Sequence, residues 1–371
     1  IVKLVLLKML YFNSTNGFIY QFFNLFAMKK LYVPVLALLT LASCSKSELA
    51  NRPVVENDMV EIMATSKALT IETRAPFEGQ IASDNTLTAV VLGSTTTADY
   101  TTRYCDGTIT FADDTNAKGF DTTPKYYPVS DATVYFCALY PTALADWKDI
   151  ATTAKYTFDG KTDVMAAAEV NGKKSTAMAG TVPSFEFKHL LTKLVVKVKA
   201  ENEAAQNVWG DITGITLVKA MNGDVFDTAE VTLATGAATT GTAFSNPAAD
   251  GMAFYRIDAA AYTDNAVDDA DNKIALTTTA EEVAYSLVAP ITAGNSADHF
   301  TLKVSTDLDG TPTVKEVSLK LSTADEIPVV FTGDTQGQAF EITLTFKATE
   351  IVATATVTDW VKGGNTEVPI Q

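Results

Sequence analysis

The chain has 371 residues, 44 acidic against 28 basic, and a formal charge of −16. An acidic surface repels phosphate backbones, which argues against a nucleic-acid partner. With two histidines, three cysteines and no HExxH, CxxC, GxSxG or glycine-rich phosphate loop, the common motifs of metal, redox and nucleophilic chemistry are missing.

Residues 1–27 start at Ile1 and are aromatic-rich from Phe18 to Phe26, without caps or amphipathic order. They read as an upstream extension, with Met28 as the true beginning. Met28-Lys29-Lys30 then opens an uncharged run, Leu31–Leu41. That run is shorter than the ~20 residues that span a bilayer but fits the apolar region of a signal peptide. It closes on Leu41-Ala42-Ser43-Cys44, which resembles the lipobox of bacterial lipoproteins, whose cysteine receives diacylglycerol and becomes the first mature residue. Residues 28–43 are therefore read as a lipoprotein signal peptide and Cys44 as the lipidated residue, placing the mature chain outside the cytoplasm and tying it to a membrane by lipid.

Removing residues 1–43 takes away Lys3, Lys8, Lys29 and Lys30 and no acid, leaving 24 basic and 44 acidic residues and a charge of −20. The remaining 328 residues exceed what one hydrophobic core usually serves, so two domains are expected. Of the cysteines only Cys105 and Cys137 remain. An exported protein can bridge them, whereas Cys137 lies in an apolar strand where a buried free thiol is common; both readings stay open.

Threonine, valine and alanine dominate the rest, and the pattern is that of strands. Predicted strands are Leu87–Gly93, Thr133–Tyr140, Lys193–Lys199, Asp211–Val218, Glu282–Val288, His299–Ser305, Val314–Leu321, Phe340–Phe346 and Val352–Thr358. Asp106-Gly107, Asn222-Gly223 and Asp309-Gly310 read as turns between them. Tyr135–Leu139 is apolar on both faces and belongs at the centre of a sheet. In Thr313–Leu321 the alternation breaks near Glu316-Val317, which suggests a bulge. Leu144–Ala151 is the one segment read as a short helix, anchored by Trp147. Many short strands with turns between them predict an all-β protein built of β-sandwiches, with a domain boundary near residues 190–200.

Chemistry has few candidates. His189 lies between Phe187 and Leu190 and reads as a core histidine; His299, before Phe300, reads the same way. The acidic run of Asp264, Asp268, Asp269 and Asp271 lacks the spacing and glycine of a calcium loop and reads as solvated. Asp307-Leu308-Asp309-Gly310 is explained by a hairpin turn. No catalytic residue, metal ligand or cofactor is assigned, and no enzyme is expected.

A series of phrases stands in order behind the lipobox: Met59-Val60-Glu61-Ile62, Ile71-Glu72-Thr73-Arg74-Ala75, Val134 to Pro141, Asp163 to Ala167, Phe185 to Leu190 with Lys193-Leu194, and Phe340 to Phe346 with Ala355 to Trp360. The series resembles the fimbrillin family, lipoprotein pilins of type V fimbriae on Gram-negative anaerobes. The resemblance implies two tandem transthyretin-like β-sandwich domains: an amino-terminal propeptide with the first strand (44–74), a first sandwich (75–195) and a second (196–371). It further implies cleavage by an arginine-specific protease, carried here by Arg74 before Ala75, since Pro53 protects the rival Arg52. Cleavage would remove a first strand bearing Val60, Ile62, Leu69 and Ile71, and another subunit would fill the groove with a strand. Donor candidates are Ile351–Trp360, with Val352, Val357 and Trp360, or the tail with Val368 and Ile370. Burying about four large apolar side chains contributes roughly 6–12 kcal/mol gross. The implied role is a fimbrial subunit supporting adhesion, with other subunits as partners. The alternatives are a tip or accessory adhesin that binds host protein or glycan, and a carbohydrate-binding surface lipoprotein that never polymerises.

Overall fold

In a computed structural model, the described residues are 59–67, 86–113, 116–142, 151–219, 225–238, 244–247, 250–258, 261–267, 272–290, 300–319, 336–359 and 368–370. Cys44, Arg52, Leu69, Ile71, Arg74, Ala75, His299 and Trp360 lie outside them, as do Asn222-Gly223, Asp268, Asp269, Asp271 and all but the last residue of the expected helix Leu144–Ala151. The amino half supplies β1 (Met63–Ser66), β2 (Leu87–Ser94), β3 (Cys105–Phe111), β4 (Lys118–Gly119), β5 (Val134–Tyr140), β6 (Thr153–Thr157), β7 (Met165–Gly172), the helix α1 (Lys174–Met178), β8 (Ser184–Phe185) and β9 (Phe187–His189). The carboxyl half supplies β10 (Thr192–Ala200), the helix α2 (Glu203–Trp209), β11 (Asp211–Lys219), β12 (Phe226–Thr232), β13 (Ala237–Ala238), β14 (Phe244–Pro247), β15 (Met252–Ala253) and β16 (Tyr255–Asp258). It continues with β17 (Ala261–Ala266), β18 (Glu281–Val288), β19 (Phe300–Leu308), β20 (Thr311–Leu319), β21 (Gln338–Phe346), β22 (Ile351–Asp359) and β23 (Val368–Ile370).

The protein is all-β, as its composition predicts. The amino half forms a five-stranded sheet, β3-β2-β5-β7-β9, and a three-stranded sheet, β4-β1-β8. The carboxyl half forms a seven-stranded sheet, β17-β16-β18-β10-β21-β22-β23, and a four-stranded sheet, β15-β11-β19-β20. A further sheet, β13-β12-β14, takes β6 of the amino half onto β12. Thr133 apart, the described part of each strand predicted from the sequence is a strand, because each was marked by alternation or by an apolar run. β5 is central, as its two apolar faces require.

Two readings change. Asp106-Gly107 is no turn: both residues lie within β3, paired with Leu92 and Val91. Glycine is there because a Cβ at residue 107 would stand 2.9 Å from the Phe120 ring. The Glu316-Val317 bulge is absent, since β19 and β20 pair without a register shift from Phe300↔Leu319 to Leu308↔Thr311. Val314 instead sits on the solvent side of this edge strand. Asp309 and Gly310 do form the hairpin turn, with φ of 52° and 81°, the pair of positive values a type I′ turn demands.

Two short helices went unpredicted. α2 starts where the Asn202 side chain accepts a hydrogen bond from the Ala205 amide at 2.9 Å, and it ends at Gly210 with φ 69°. Its Trp209 is buried edge-on against Phe346 and donates Nε1–H to the Lys347 carbonyl. Finally, Cys105 and Cys137 are both free and buried. Cys105 pairs with Gly93, which pairs with Phe136, so Cys137 is one residue off that row and points to the opposite face of the sheet. Their side chains enter different cores and cannot meet.

Candidate functional site

The segment around β1 is held more completely than its length suggests. Val60, Ile62 and Ala64 alternate with Glu61, Met63 and Thr65, so one face turns inward. Ile62 and Ala64 are fully buried, and Val60 packs half-buried beside them. They enter a core with Phe111, Phe120, Phe185 and Phe187. Phe111 meets Phe185 and Phe187 edge-on at 6.2 and 6.1 Å, an arrangement that aromatic quadrupoles favour.

Both edges of the segment are bonded. On one side Met63 and Ala64 pair antiparallel with Gly119 and Lys118, the Ile62 amide donates to the Lys125 carbonyl at 2.7 Å, and the Tyr127 amide donates to Val60 at 2.9 Å. On the other, Thr65 and Ser66 pair parallel with Ser184 and Phe185, and the Thr65 and Lys67 amides donate to Pro183 and Phe185. β1 is thus the middle strand of its sheet. A side chain at Gly119 would run into the Glu61 carboxylate. An exposed ion pair, Lys67 to Glu186 at 3.6 Å, closes the far end. Sequence patterning identified the inward face of β1 but none of its partners, because Lys118-Gly119 and Pro183–Phe185 are two- and three-residue pieces with no periodicity of their own.

The two candidate donors lie side by side in the seven-stranded sheet. β22 is paired along its whole length with β21, from Gln338↔Asp359 to Phe346↔Ile351, and Ala355 is buried in the core. Its other edge takes β23 through Ala355↔Ile370, Thr356↔Pro369 and Val357↔Val368. Among the described residues β23 is therefore the end strand, held along one edge, and its Pro369 lacks the amide an inner strand needs. Val352 is half-buried on β22; the side chains of Val357, Val368 and Ile370 are outside the described residues.

Of the polar groups picked out by the sequence, His189, Asp264 and Asp307 are buried or paired. His189 is buried, as its apolar neighbours predict, and its Nδ1 lies 2.7 Å from Oδ2 of the equally buried Asp163. This pair sits where β9 passes into β10, and nothing in the sequence linked the two residues. Burial raises the Cys137 and Cys105 thiols to about 12, and it also pushes up the Tyr100 phenol, whose hydroxyl donates to Glu169 at 2.9 Å. A cleft of about 620 Å³ is lined by Lys197, Arg256, Asp258, Glu281 and Glu282. Its cations are spent within the protein: Lys197 lies 2.7 Å from Glu341, and Arg256 lies 2.7 Å from Asp258. Asp264 pairs with Lys161 at 3.5 Å and Asp307 with Lys273 at 3.0 Å. Among the described residues, no three His, Cys, Asp or Glu side chains converge to hold a metal ion.

Residues 73–360 match the sequence model of a family described as fimbrillin-like. The matched span begins just before Arg74 and ends at Trp360, so β1 and β23 lie on either side of it. A search of curated proteins returned no match. Among solved structures, a candidate cell-adhesion protein from Bacteroides uniformis aligns at 19% identity over 82% of this chain and all of its own, with a TM-score of 0.48. A second from Bacteroides ovatus aligns at 14% identity over 82% of this chain and 99% of its own, with a TM-score of 0.47. A fimbrial protein from Bacteroides vulgatus aligns at 14% identity over 81% of this chain and 99% of its own, with a TM-score of 0.38.

Proposed function

The chain belongs to the fimbrillin-like family, and from that premise we propose that it is a fimbrial subunit that polymerises by exchange of its first strand and supports adhesion. In this reading the chain is exported as a lipoprotein through Cys44 and anchored in the outer membrane. An arginine-specific protease then cuts between Arg74 and Ala75. The sandwich of residues 75–195 carries the acceptor groove, and residues 196–371 carry the donor. The observation behind the proposal is the position of β1 as a middle strand with its apolar face in the core. Its departure would leave β4 and β8 with unpaired edges and an apolar trough between them, which is the template for strand addition from a second subunit. Each lost backbone bond is worth about 0.5–1.5 kcal/mol and burial of Ile62 about 1.5–3 kcal/mol, so an incoming strand with the same alternation has a substantial gain to make. β23, bonded along one edge, is the easier of the two donor candidates to release, whereas β22 would have to break pairing on both sides.

Mass spectrometry before and after mild trypsin treatment, with native gels alongside, tests the proposal. The expected result is one stable product beginning at Ala75, together with new oligomers. Cleavage that leaves only monomers, or no cleavage at Arg74, would overturn the polymerising reading and leave an anchor, a tip adhesin or a non-polymerising surface lipoprotein.

A further inference from the structure

The five-stranded sheet β3-β2-β5-β7-β9 is buried on both faces, and the two faces belong to different cores. Ala89 and Val91 of β2, Phe136 and Ala138 of β5 and Ala167 of β7 face the core that receives Ile62 and Ala64. The residues between them, Val90 and Leu92, Cys137 and Leu139, and Ala166, enter the larger core, which continues to Leu194 and Val196 of β10 and Phe340 of β21. No described residue of the β1 segment belongs to that larger core.

Two backbone links reinforce the second attachment. β6 leaves the amino half and pairs antiparallel with β12 from Thr153↔Thr232 to Thr157↔Thr228. The turn after β12 then settles onto β7. Gly236 there has φ 61°, and a Cβ on it would stand 2.5 Å from the Ala168 nitrogen and 2.7 Å from the Ala167 carbonyl carbon. Ala168 lies where β7 shifts register against β5, and the next amide, Glu169, donates to the Ala234 carbonyl at 3.2 Å. The strands that floor the β1 groove are thus fastened from behind by the carboxyl half.

We infer that the carboxyl half is a built-in scaffold for the strand-acceptor groove. It holds the floor of the groove in shape while β1 is absent, so an emptied subunit keeps its acceptor site without a separate folding partner. The inference rests on the proposed departure of β1, but it is tested without polymerisation. Sheets attached through two cores open locally on the side that loses its contacts and stay protected through the other.

Amide hydrogen exchange by mass spectrometry on the full chain carries the test. In Ile62→Asp, the amides of residues 62–67 and of Tyr127 are expected to exchange at nearly unprotected rates, while those of β2, β5 and β10 stay within tenfold of the unaltered chain. Ile62→Ala, a milder cavity, is expected to speed exchange about 30-fold or more at the same amides only. Phe340→Ala, in the larger core that no described residue of the β1 segment enters, is expected to speed exchange in β2 and β5 at least tenfold. Loss of protection in β2 and β5 together with β1 in either Ile62 variant would overturn the scaffold, as would unchanged β2 and β5 in Phe340→Ala. A chain that never polymerises yet keeps its floor protected would remove the exchange reading alone.

Discussion

The two faces of the five-stranded sheet share one backbone but differ in what covers them. The face toward β1 is lined by phenylalanines and roofed by the short strands β1, β4 and β8, with two residue pairs on each edge of β1. The opposite face is aliphatic and continuous with long ladders: β10 and β21 pair in parallel over eight residues, and β21 and β22 antiparallel over nine. A short roof can be replaced one strand at a time, because few bonds break together. A long ladder cannot, because each pair supports the next. The strand proposed to exchange and the ladders that stay are therefore on two sides of a single sheet.

The sharpest way to break that contrast is Gly236→Val, which forces a side chain into the β7 backbone at a left-handed position. It is expected to cost roughly 3 kcal/mol or more by chemical denaturation and to split unfolding into two transitions, one for each half. Phe111→Ala removes a fully buried ring from the smaller core and is expected to cost about 3–5 kcal/mol. Its signature should be local, with faster exchange at the Thr65 and Lys67 amides, whose carbonyl partners are Pro183 and the Phe185 that Phe111 touches.

The two thiols report on the two faces separately. Each stays neutral in the fold to about pH 12, against an ordinary 9.0, because burial disfavours the thiolate. A folded value above the unfolded one means the proton is held more tightly by the native state. The stabilisation is therefore intact below pH 9 and is lost as pH rises through 12. Serine at Cys137 should blunt this alkaline loss, and at neutral pH neither thiol of the native chain should react with iodoacetamide. Smallest of all is Lys67→Ala: the exposed pair with Glu186 is expected to contribute less than about 0.5 kcal/mol in denaturant titrations and to leave β1 in place.

The strands with regular patterning were legible, and so was the burial of β5, because alternation and apolar runs are properties of neighbouring residues. The inward face of Val60, Ile62 and Ala64 was legible for the same reason. Asp106-Gly107 misled because glycine was answering a contact with Phe120, not a turn. α2 was missed because seven residues with one cap carry too little periodicity, and its anchor, Trp209, finds its partner at Lys347. Asp163 and His189 likewise met only through folding.

By itself the sequence determined the all-β class, the main strands, the alternating face of β1 and the family resemblance, all of which reside in local pattern or ordered motifs. Tertiary structure alone decided that β1 is a middle strand, that β6 pairs across to β12, that Gly236 seats a turn on β7, and that Cys105 and Cys137 face different cores. Each of these depends on which distant backbone edge lies alongside. An unpaired edge offers the same row of donors and acceptors whatever its side chains, so its partner is chosen by the packing of whole sheets.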